Sequence, residues 1–211
     1  MDFDGIQLVM RPEQGRCETK ARSSRAEVQQ MLLKKKQSQT YKERHEGYVV
    51  IDLETTGLNS SSDEIIELAA IRIINHKIAD QLEILVKAEK GVPKVITELT
   101  GITEEILEEK GMVLSSAIEK FCEFIGQSTI VGHNIAFDRS FLKEACRKTN
   151  RMNLKNPAND TLDLARRRID DIDDYKLHAL ADYFQIKVEE EHRALSDCIT
   201  TFQVFEKLNE I

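Results

Sequence analysis

The sequence lacks any long apolar run: no segment approaches the roughly 20 consecutive apolar residues that a membrane-spanning helix needs. No apolar segment follows Met1 closely, which argues against a secretory signal. The four cysteines lie far apart and form no Cys-x-x-Cys pair, which disfavours a zinc site and is typical of reduced thiols. These absences predict a cytoplasmic protein that does not associate with a membrane.

Negative charge predominates in the chain, but it is unevenly distributed. The 211 residues carry a formal net charge of -7. Residues 1–47 hold ten Lys/Arg and seven Asp/Glu, whereas the remaining residues hold 20 and 30. Such an acidic body disfavours tight duplex binding through a broad basic face. It does not exclude a nucleic-acid enzyme, because divalent cations bound in an acidic cluster attract phosphates.

Two regions of different composition are expected, an extension at residues 1–46 and a domain at residues 47–211. The extension is polar and basic, and a helix over residues 24–46 would carry only a thin apolar stripe of Val28, Met31 and Leu32. A solvated or flexible extension is the simplest interpretation. A nucleic-acid arm, a partner-binding helix and the edge of a larger polypeptide are the alternatives.

Apolar periodicity predicts that the domain is α/β, with a mixed five-stranded sheet flanked by helices. Strands are predicted at residues 48–53, 65–74, 77–86 and 129–132, with a fifth at 186–188. Helices are predicted at residues 94–99, 104–109, 114–125, 136–148, 161–168, 176–184 and 194–208. The short turns between the first three strands indicate an antiparallel meander.

Two carboxylates stand at the end of the first predicted strand, in the segment Asp52-Leu53-Glu54. Side chains two residues apart on a strand point to the same face, so Asp52 and Glu54 lie side by side. Their charges repel each other, and a cation between them would relieve that repulsion. The pair therefore predicts a metal site, with Leu53 turned into the core.

Two later segments also place an acid close to a polar turn. Asp138 falls in the first turn of a predicted helix, where the helix dipole alone favours an acid, and Asn134 is suited to cap that helix. His192 and Asp197 would lie about 140° apart on a helix, so they converge only if His192 lies in the loop before it. The alternative is an exposed loop histidine followed by a solvated helix acid.

In this order, the three segments resemble the motifs of the DEDDh family of 3′–5′ exonucleases, whose fold is ribonuclease-H-like. The resemblance covers about residues 48–211 and is carried by Asp52-Leu53-Glu54-Thr55-Thr56-Gly57, His133-Asn134-Ile135-Ala136-Phe137-Asp138 and His192-Arg193-Ala194-Leu195-Ser196-Asp197. An ordered set of this kind is specific. Within the family, the chain is similar to the proofreading exonuclease of bacterial DNA polymerase III, either the epsilon subunit or the exonuclease domain built into a replicative polymerase.

The resemblance implies a catalytic set of five residues, Asp52, Glu54, Asp138, His192 and Asp197. The four carboxylates would bind two divalent ions, Mg²⁺ or Mn²⁺. Asp52 would bridge both ions, while Glu54 and Asp197 would complete the site that activates water. Asp138 would help to hold the second ion, and His192 would act as general base on the attacking water.

The resemblance also implies contacts with a substrate, at Thr55, Thr56, Gly57, Leu99, Ile102, His133, Asn134 and Phe137. The threonine-glycine turn would approach the terminal nucleotide through its backbone, and the apolar side chains would line the space around the last bases. Core packing is the alternative for Leu99, Ile102 and Phe137. The histidine and asparagine would shape the pocket rather than react, and His178 is expected at the surface or the periphery of the site.

The expected function is metal-dependent hydrolysis at the 3′ end of single-stranded or frayed DNA, releasing nucleoside 5′-monophosphates in replication proofreading or repair. A DNA polymerase or another replication or repair protein is the expected partner. The alternatives are a 3′–5′ exoribonuclease, a metal-dependent endonuclease on the same fold, and a non-catalytic binding module of the replication machinery. No reader of the 2′-hydroxyl is evident in the sequence, so the choice between DNA and RNA stays open.

Overall fold

The computed structural model of the chain describes residues 47–151, 153–170, 172–188 and 192–211. The extension at residues 1–46, with its predicted helix, lies outside the described residues. Within the described ranges, no helix is both long enough and apolar enough to cross a membrane.

Five strands form one mixed sheet in the order β3-β2-β1-β4-β5. They are β1 Tyr48–Thr55, β2 Ile65–Ile74, β3 Lys77–Leu85, β4 Ile130–Gly132 and β5 Ala158–Asp160. β2 pairs antiparallel with both β1 and β3, whereas β4 runs parallel to both β1 and β5. The predicted meander and the mixed five-stranded sheet are confirmed.

The position predicted for the fifth strand is wrong. Residues 186–188 form no strand, and the fifth strand is β5. Its three residues carry no apolar alternation, and parallel pairing with β4 places Ala158 opposite Ile130. Ile186 instead packs against a small apolar cluster that includes Leu180. A strand this short is specified by its neighbour in the sheet and not by its own pattern.

Seven helices lie within the described ranges, and each one agrees with its predicted bounds to within one residue at either end. They are α1 Lys94–Thr100, α2 Glu104–Lys110, α3 Leu114–Ile125, α4 Ile135–Lys148, α5 Thr161–Arg168, α6 Leu177–Tyr183 and α7 Ala194–Leu208. The agreement reflects clear apolar faces, as on α3, where Ile118, Phe121 and Ile125 are buried.

β1 is the central strand, and helices cover both of its faces. Val49 and Ile51 pack with residues of α3 and α4, including Phe121 and Leu142. On the opposite face, Val50 packs with residues of α7. A strand buried on both faces needs a near-continuous apolar sequence, which the start of β1 provides. The first charged residues of β1 are Asp52 and Glu54, at the end of the strand, where burial is incomplete.

This topology brings three chain segments to one edge of the sheet. β1 and β4 run parallel, so their carboxyl ends lie at the same edge, and α4 follows β4 after a turn of two residues. α7 packs across β1 and β2. In open α/β sheets, ligands bind outside the carboxyl ends of the strands. The edge formed by β1, β4 and the start of α7 is therefore the place to examine for a site.

Candidate active site

Asp52 and Glu54 lie on the α7 face of β1, half-buried at the end of the strand. Leu53 between them points to the other face, where it is 6% exposed and belongs to the main core. This is the arrangement predicted from the alternation of the three residues. A bulge follows at Glu54 and Thr55, which ends the regular pairing with β2.

α7 brings a third carboxylate to the pair. Asp197 lies in the first turn of α7 and is 8% exposed. One carboxylate oxygen from each of Asp52, Glu54 and Asp197 lies within 4.8 Å of the others. We name these three residues the carboxylate cluster.

Asp138 approaches from α4, with only 3% of its surface exposed. Its charge is close enough to raise the pKa of Asp52, although it lies outside the 4.8 Å group. The preceding Asn134 is left-handed, with φ 57°, and its side chain makes no capping hydrogen bond. Asp160 holds that turn instead, because its Oδ1 accepts the backbone N–H of Asn134 at 2.9 Å. The capping role considered for Asn134 is therefore not observed.

Burial and mutual repulsion dominate the electrostatics of these acids. Burial raises the pKa of Asp52 well above its ordinary value, and the neighbouring charges of Asp138 and Asp197 raise it further. Burial also raises the pKa of Asp138. The pKa of Glu54 rises to about 8, through burial and then the charge of Asp197, while Arg193 acts in the opposite direction. These acids stay ionised together only if positive charge is supplied.

The residues present fit a divalent cation. The carboxylate cluster offers three hard oxygen ligands on convergent side chains, the ligand type that divalent cations such as Mg²⁺ and Mn²⁺ prefer. The raised pKa of Asp52 and of Glu54 shows that the fold assembles more negative charge than it neutralises. The carboxylate cluster therefore has the composition and charge of a divalent metal site.

The raised pKa of Glu54 predicts how the stability of the metal-free protein depends on pH. Near pH 6 the folded protein holds a proton on Glu54, whose pKa is about 8, while the unfolded chain with its ordinary value of 4.5 has released it. The contribution of the Glu54 carboxyl to the free energy of unfolding is fully present below pH 4.5 and is lost as the pH rises to about 8. In a chelator, we expect the melting temperature to fall by on the order of 5 °C between pH 5 and pH 8.

Thermal unfolding followed by circular dichroism measures this dependence. Gln in Glu54→Gln has no proton to release, so this variant should flatten the profile, as should saturating Mg²⁺ added to the unsubstituted protein. A melting temperature that rises from pH 5 to pH 8 in a chelator would contradict the raised pKa.

His192 lies in the loop just before α7, as its spacing from Asp197 required. Its backbone is left-handed, with φ 56°, a conformation that costs a non-glycine residue about 1–3 kcal/mol. Its ring packs edge-on against His178 of α6, with 5.5 Å between the ring centroids. Backbone strain of this kind is concentrated at functional sites. His178 lies next to His192 through this ring contact.

Glu67 is a buried acid next to the candidate site to which the sequence analysis assigned no role. It is fully buried on β2, directly opposite Glu54 in the sheet register. Its Oε1 accepts a hydrogen bond from Nη2 of Arg193 at 2.8 Å, and its Oε2 accepts the backbone N–H of Ala194 at 3.0 Å. Arg193 also reaches Oε1 of Glu83 at 2.9 Å. Glu67 therefore fastens the start of α7, between His192 and Asp197, to the sheet.

Replacing Glu67 or Glu83, the two acids that bind Arg193, should lower the stability of the protein by unequal amounts. Glu67→Ala leaves the Arg193 guanidinium and the Ala194 N–H without their buried partner, so the free energy of unfolding should fall by about 3 kcal/mol. Glu83→Ala removes a partly exposed partner of the same arginine and should cost under about 1 kcal/mol. Urea unfolding at pH 7 compares the two variants, and equal losses would show that Glu67 is not the anchor.

The turn Thr55-Thr56-Gly57 is held by its own polar groups. Oγ1 of Thr55 donates to the Gly57 carbonyl at 2.6 Å, and Oγ1 of Thr56 accepts the backbone N–H of Glu64 at 2.9 Å. A Cβ on Gly57 would lie 2.4 Å from Oδ2 of Asp63, so a larger residue there would displace the Asp63 side chain. The threonine hydroxyls are engaged in the turn, which leaves the backbone as the surface it offers to a ligand.

The predicted apolar contacts differ in exposure. Leu99 is 48% exposed, whereas Ile102 is 3% exposed and packs with Ile66 and Leu107. Phe137 is half-buried and packs against Phe141, with 4.9 Å between ring centroids. Leu99 and Phe137 thus keep accessible surface, whereas Ile102 is part of the core.

His133 is tied into the fold by hydrogen bonds. Its Nδ1 lies 2.9 Å from Oγ1 of Thr161, and that hydroxyl lies 3.3 Å from the Gly132 carbonyl. Burial lowers the pKa of His133, so its ring is neutral near pH 7. Asp160 and Thr161, which hold this turn, carry no sequence signal beyond lying at the start of a helix. These contacts fix the orientation of the His133 ring.

Comparison with known proteins places the domain in a family. A family model described as Exonuclease matches residues 49–205. The DNA polymerase III PolC-type of Caldanaerobacter subterraneus subsp. tengcongensis is 39% identical over 168 residues, which make up 78% of this chain and 12% of the relative. The chain therefore spans about an eighth of the length of that relative.

Solved structures show a similar fold. Exonuclease X in complex with 5′ overhanging duplex DNA is 26% identical with a TM-score of 0.63, covering 77% of this chain and 91% of that one. The zinc-bound E. coli exonuclease I–ssDNA complex is 20% identical with a TM-score of 0.70, covering 78% and 40%. The fold is ribonuclease-H-like, and because the family model spans the strand, turn and helix segments that form the site, the chain belongs to the exonuclease family.

Proposed function

We propose that this chain hydrolyses phosphodiester bonds at the 3′ end of single-stranded or frayed DNA and releases nucleoside 5′-monophosphates. The observation that carries the proposal is the convergence of Asp52, Glu54 and Asp197 within 4.8 Å, with Asp138 beside them and His192 in the adjoining loop. Acids from three separate segments meet at one sheet edge, in a family whose members are exonucleases.

Two divalent ions, Mg²⁺ or Mn²⁺, fit the four carboxylates of the proposed site. Asp52, Glu54 and Asp197 would hold one ion, and Asp138 would share the other with Asp52. When bound, such a pair activates water and stabilises charge on the leaving 3′ oxygen. The identity of the ions is part of the proposal, since one structure of E. coli exonuclease I is a zinc-bound form.

The side chains of this protein have separate tasks in the proposed reaction. His192, in its loop before α7, accepts the proton of the attacking water at a ring nitrogen. Glu67 and Arg193 hold that loop at a fixed distance from the sheet. The Thr55–Gly57 turn binds the terminal nucleotide through backbone groups, and Leu99 and Phe137 contact its base without reading its identity.

The proposed setting is DNA replication or repair in the cytoplasm of a bacterium, with a DNA polymerase as partner. The similarity to PolC-type polymerases supports this setting. Two solved relatives were captured with DNA, exonuclease X with an overhanging duplex and E. coli exonuclease I with a single strand. Both favour DNA over RNA as the substrate. We also propose that residues 1–46 form an extension separate from the catalytic domain at residues 47–211.

Incubation with 5′-labelled single strands of DNA and RNA of one sequence tests the proposal. In Mg²⁺ or Mn²⁺, we expect the DNA to shorten from its 3′ end as a ladder, and a chelator to stop the reaction. RNA shortened faster than DNA would indicate an exoribonuclease. Internal cuts would indicate an endonuclease, and no cleavage with Mg²⁺, Mn²⁺ or Zn²⁺ would favour a non-catalytic binding module.

A further inference from the structure

A cavity lies between the turn that precedes α4 and the helices α5 and α6. Its volume is about 380 Å³, and it is lined by His133, Asn134, Leu162, Arg166, Asp174, Tyr175, Lys176 and Leu177. His133 and Asn134 form the turn that leads into α4, so this cavity and the carboxylates share one wall. Asn134 directly precedes α4, and Asp138 lies in the first turn of that helix.

Positive charge is concentrated in this cavity, although the domain as a whole is acidic. Arg166 and Lys176 line it, and Asp174 is its single acid. Lys176 pairs with Asp174 at 3.3 Å. His133 is neutral near pH 7 because burial lowers its pKa. Asp160 lies close by, since its Oδ1 accepts the backbone N–H of Asn134. Of the two cationic side chains that line the cavity, Arg166 is the one without an ion pair in the described ranges.

The three consecutive arginines at the end of α5 differ in their contacts. Arg167 pairs with Asp163 at 3.5 Å, and Arg168 donates to the carbonyl of Leu208. Arg166 makes no ion pair or hydrogen bond with any residue in the described ranges. It is exposed and lines the cavity. An exposed arginine that forms no ion pair in the described ranges is suited to bind phosphate.

We infer that this cavity binds the phosphodiester backbone of the substrate strand, on the 5′ side of the bond that is cut, with Arg166 as the principal contact. The inference rests on the proposed function. A strand cleaved next to its 3′ end continues in the 5′ direction only, so any subsite beyond the terminal nucleotide must hold that part of the strand. The cavity gives the acidic domain the local positive charge that a second phosphate requires.

Substrates with one and with several phosphates test the inference on the full chain. The p-nitrophenyl ester of thymidine 5′-monophosphate reaches only the catalytic centre, whereas a short thymidine oligonucleotide also reaches the cavity. We expect Arg166→Ala to lower the preference for the oligonucleotide, measured as the ratio of the two kcat/KM values, by about tenfold. Arg167→Ala removes the same charge one residue away and should lower that ratio less than about twofold.

The dependence on salt gives a second readout. For single strands, each lost phosphate contact reduces the slope of log kcat/KM against log salt concentration by about 0.7. Arg166→Ala should show this reduction with the oligonucleotide, and a methylphosphonate at the contacted position should abolish the difference between variant and parent. Equal ratios and slopes for the two arginine variants overturn the inference. Failure of the unsubstituted protein to cleave either substrate contradicts the proposed function instead.

Discussion

Asp52→Asn should lower kcat by about a thousandfold or more and, in a chelator, should make the protein more stable. Asp52 is the residue that the other acids surround, and Asp138, Asp197 and Glu54 all raise its pKa. A neutral amide cannot supply the charge that would hold the proposed divalent ions, and this loss removes several kcal/mol of stabilisation from the transition state. The same change relieves repulsion in the metal-free fold, which should raise the melting temperature by roughly 3 °C.

Opposite effects on activity and stability distinguish a site residue from a structural one. The rate of oligonucleotide hydrolysis and the thermal unfolding curve in a chelator are measured for the parent and the variant. Asp173→Asn, in an exposed loop, is the matched control and should change neither quantity appreciably. A variant that loses stability together with activity would show that Asp52 supports the fold and not the metal.

His192→Ala should lower kcat by about a hundredfold to ten-thousandfold, the range for removal of a general base. The apparent affinity for Mg²⁺, taken from the metal dependence of the rate, should change little because His192 lies in the loop outside the carboxylate cluster. His178→Ala is a demanding control, since the His178 ring packs against the His192 ring with 5.5 Å between the centroids. Its effect on kcat should stay below about tenfold.

A large loss of metal affinity in His192→Ala would contradict its role as base. An equally large loss of kcat in His178→Ala would also contradict that role, because both histidines would then be needed for proton transfer. Measuring kcat and the metal dependence for both variants separates these outcomes.

The acids of β1 could be predicted from the sequence because their pattern is local. The alternation of Asp52, Leu53 and Glu54 after an apolar run fixes both the strand and its exposed face. The loop position of His192 also followed from its spacing, since a continuous helix would have directed it away from Asp197. The structure shows both arrangements.

Contacts between distant segments could not be predicted in the same way. β5 depends on pairing with β4, and its sequence has no strand pattern of its own. Glu67 left a signal, a single acid in the middle of an apolar strand, which indicates a buried partner. Its partner Arg193 lies 126 residues further along the chain, so geometry alone could identify it. The cavity beside Arg166 likewise exists only after α5 and α6 have packed.

The most direct test of the central claim is the product released from a strand labelled in its 3′-terminal nucleotide, in Mg²⁺ and water enriched in ¹⁸O. We predict that the label leaves as a nucleoside 5′-monophosphate carrying one oxygen from water, at a rate that Asp52→Asn reduces by about a thousandfold. Label released in longer fragments, or at the same rate by the variant, would contradict hydrolysis by this cluster of carboxylates.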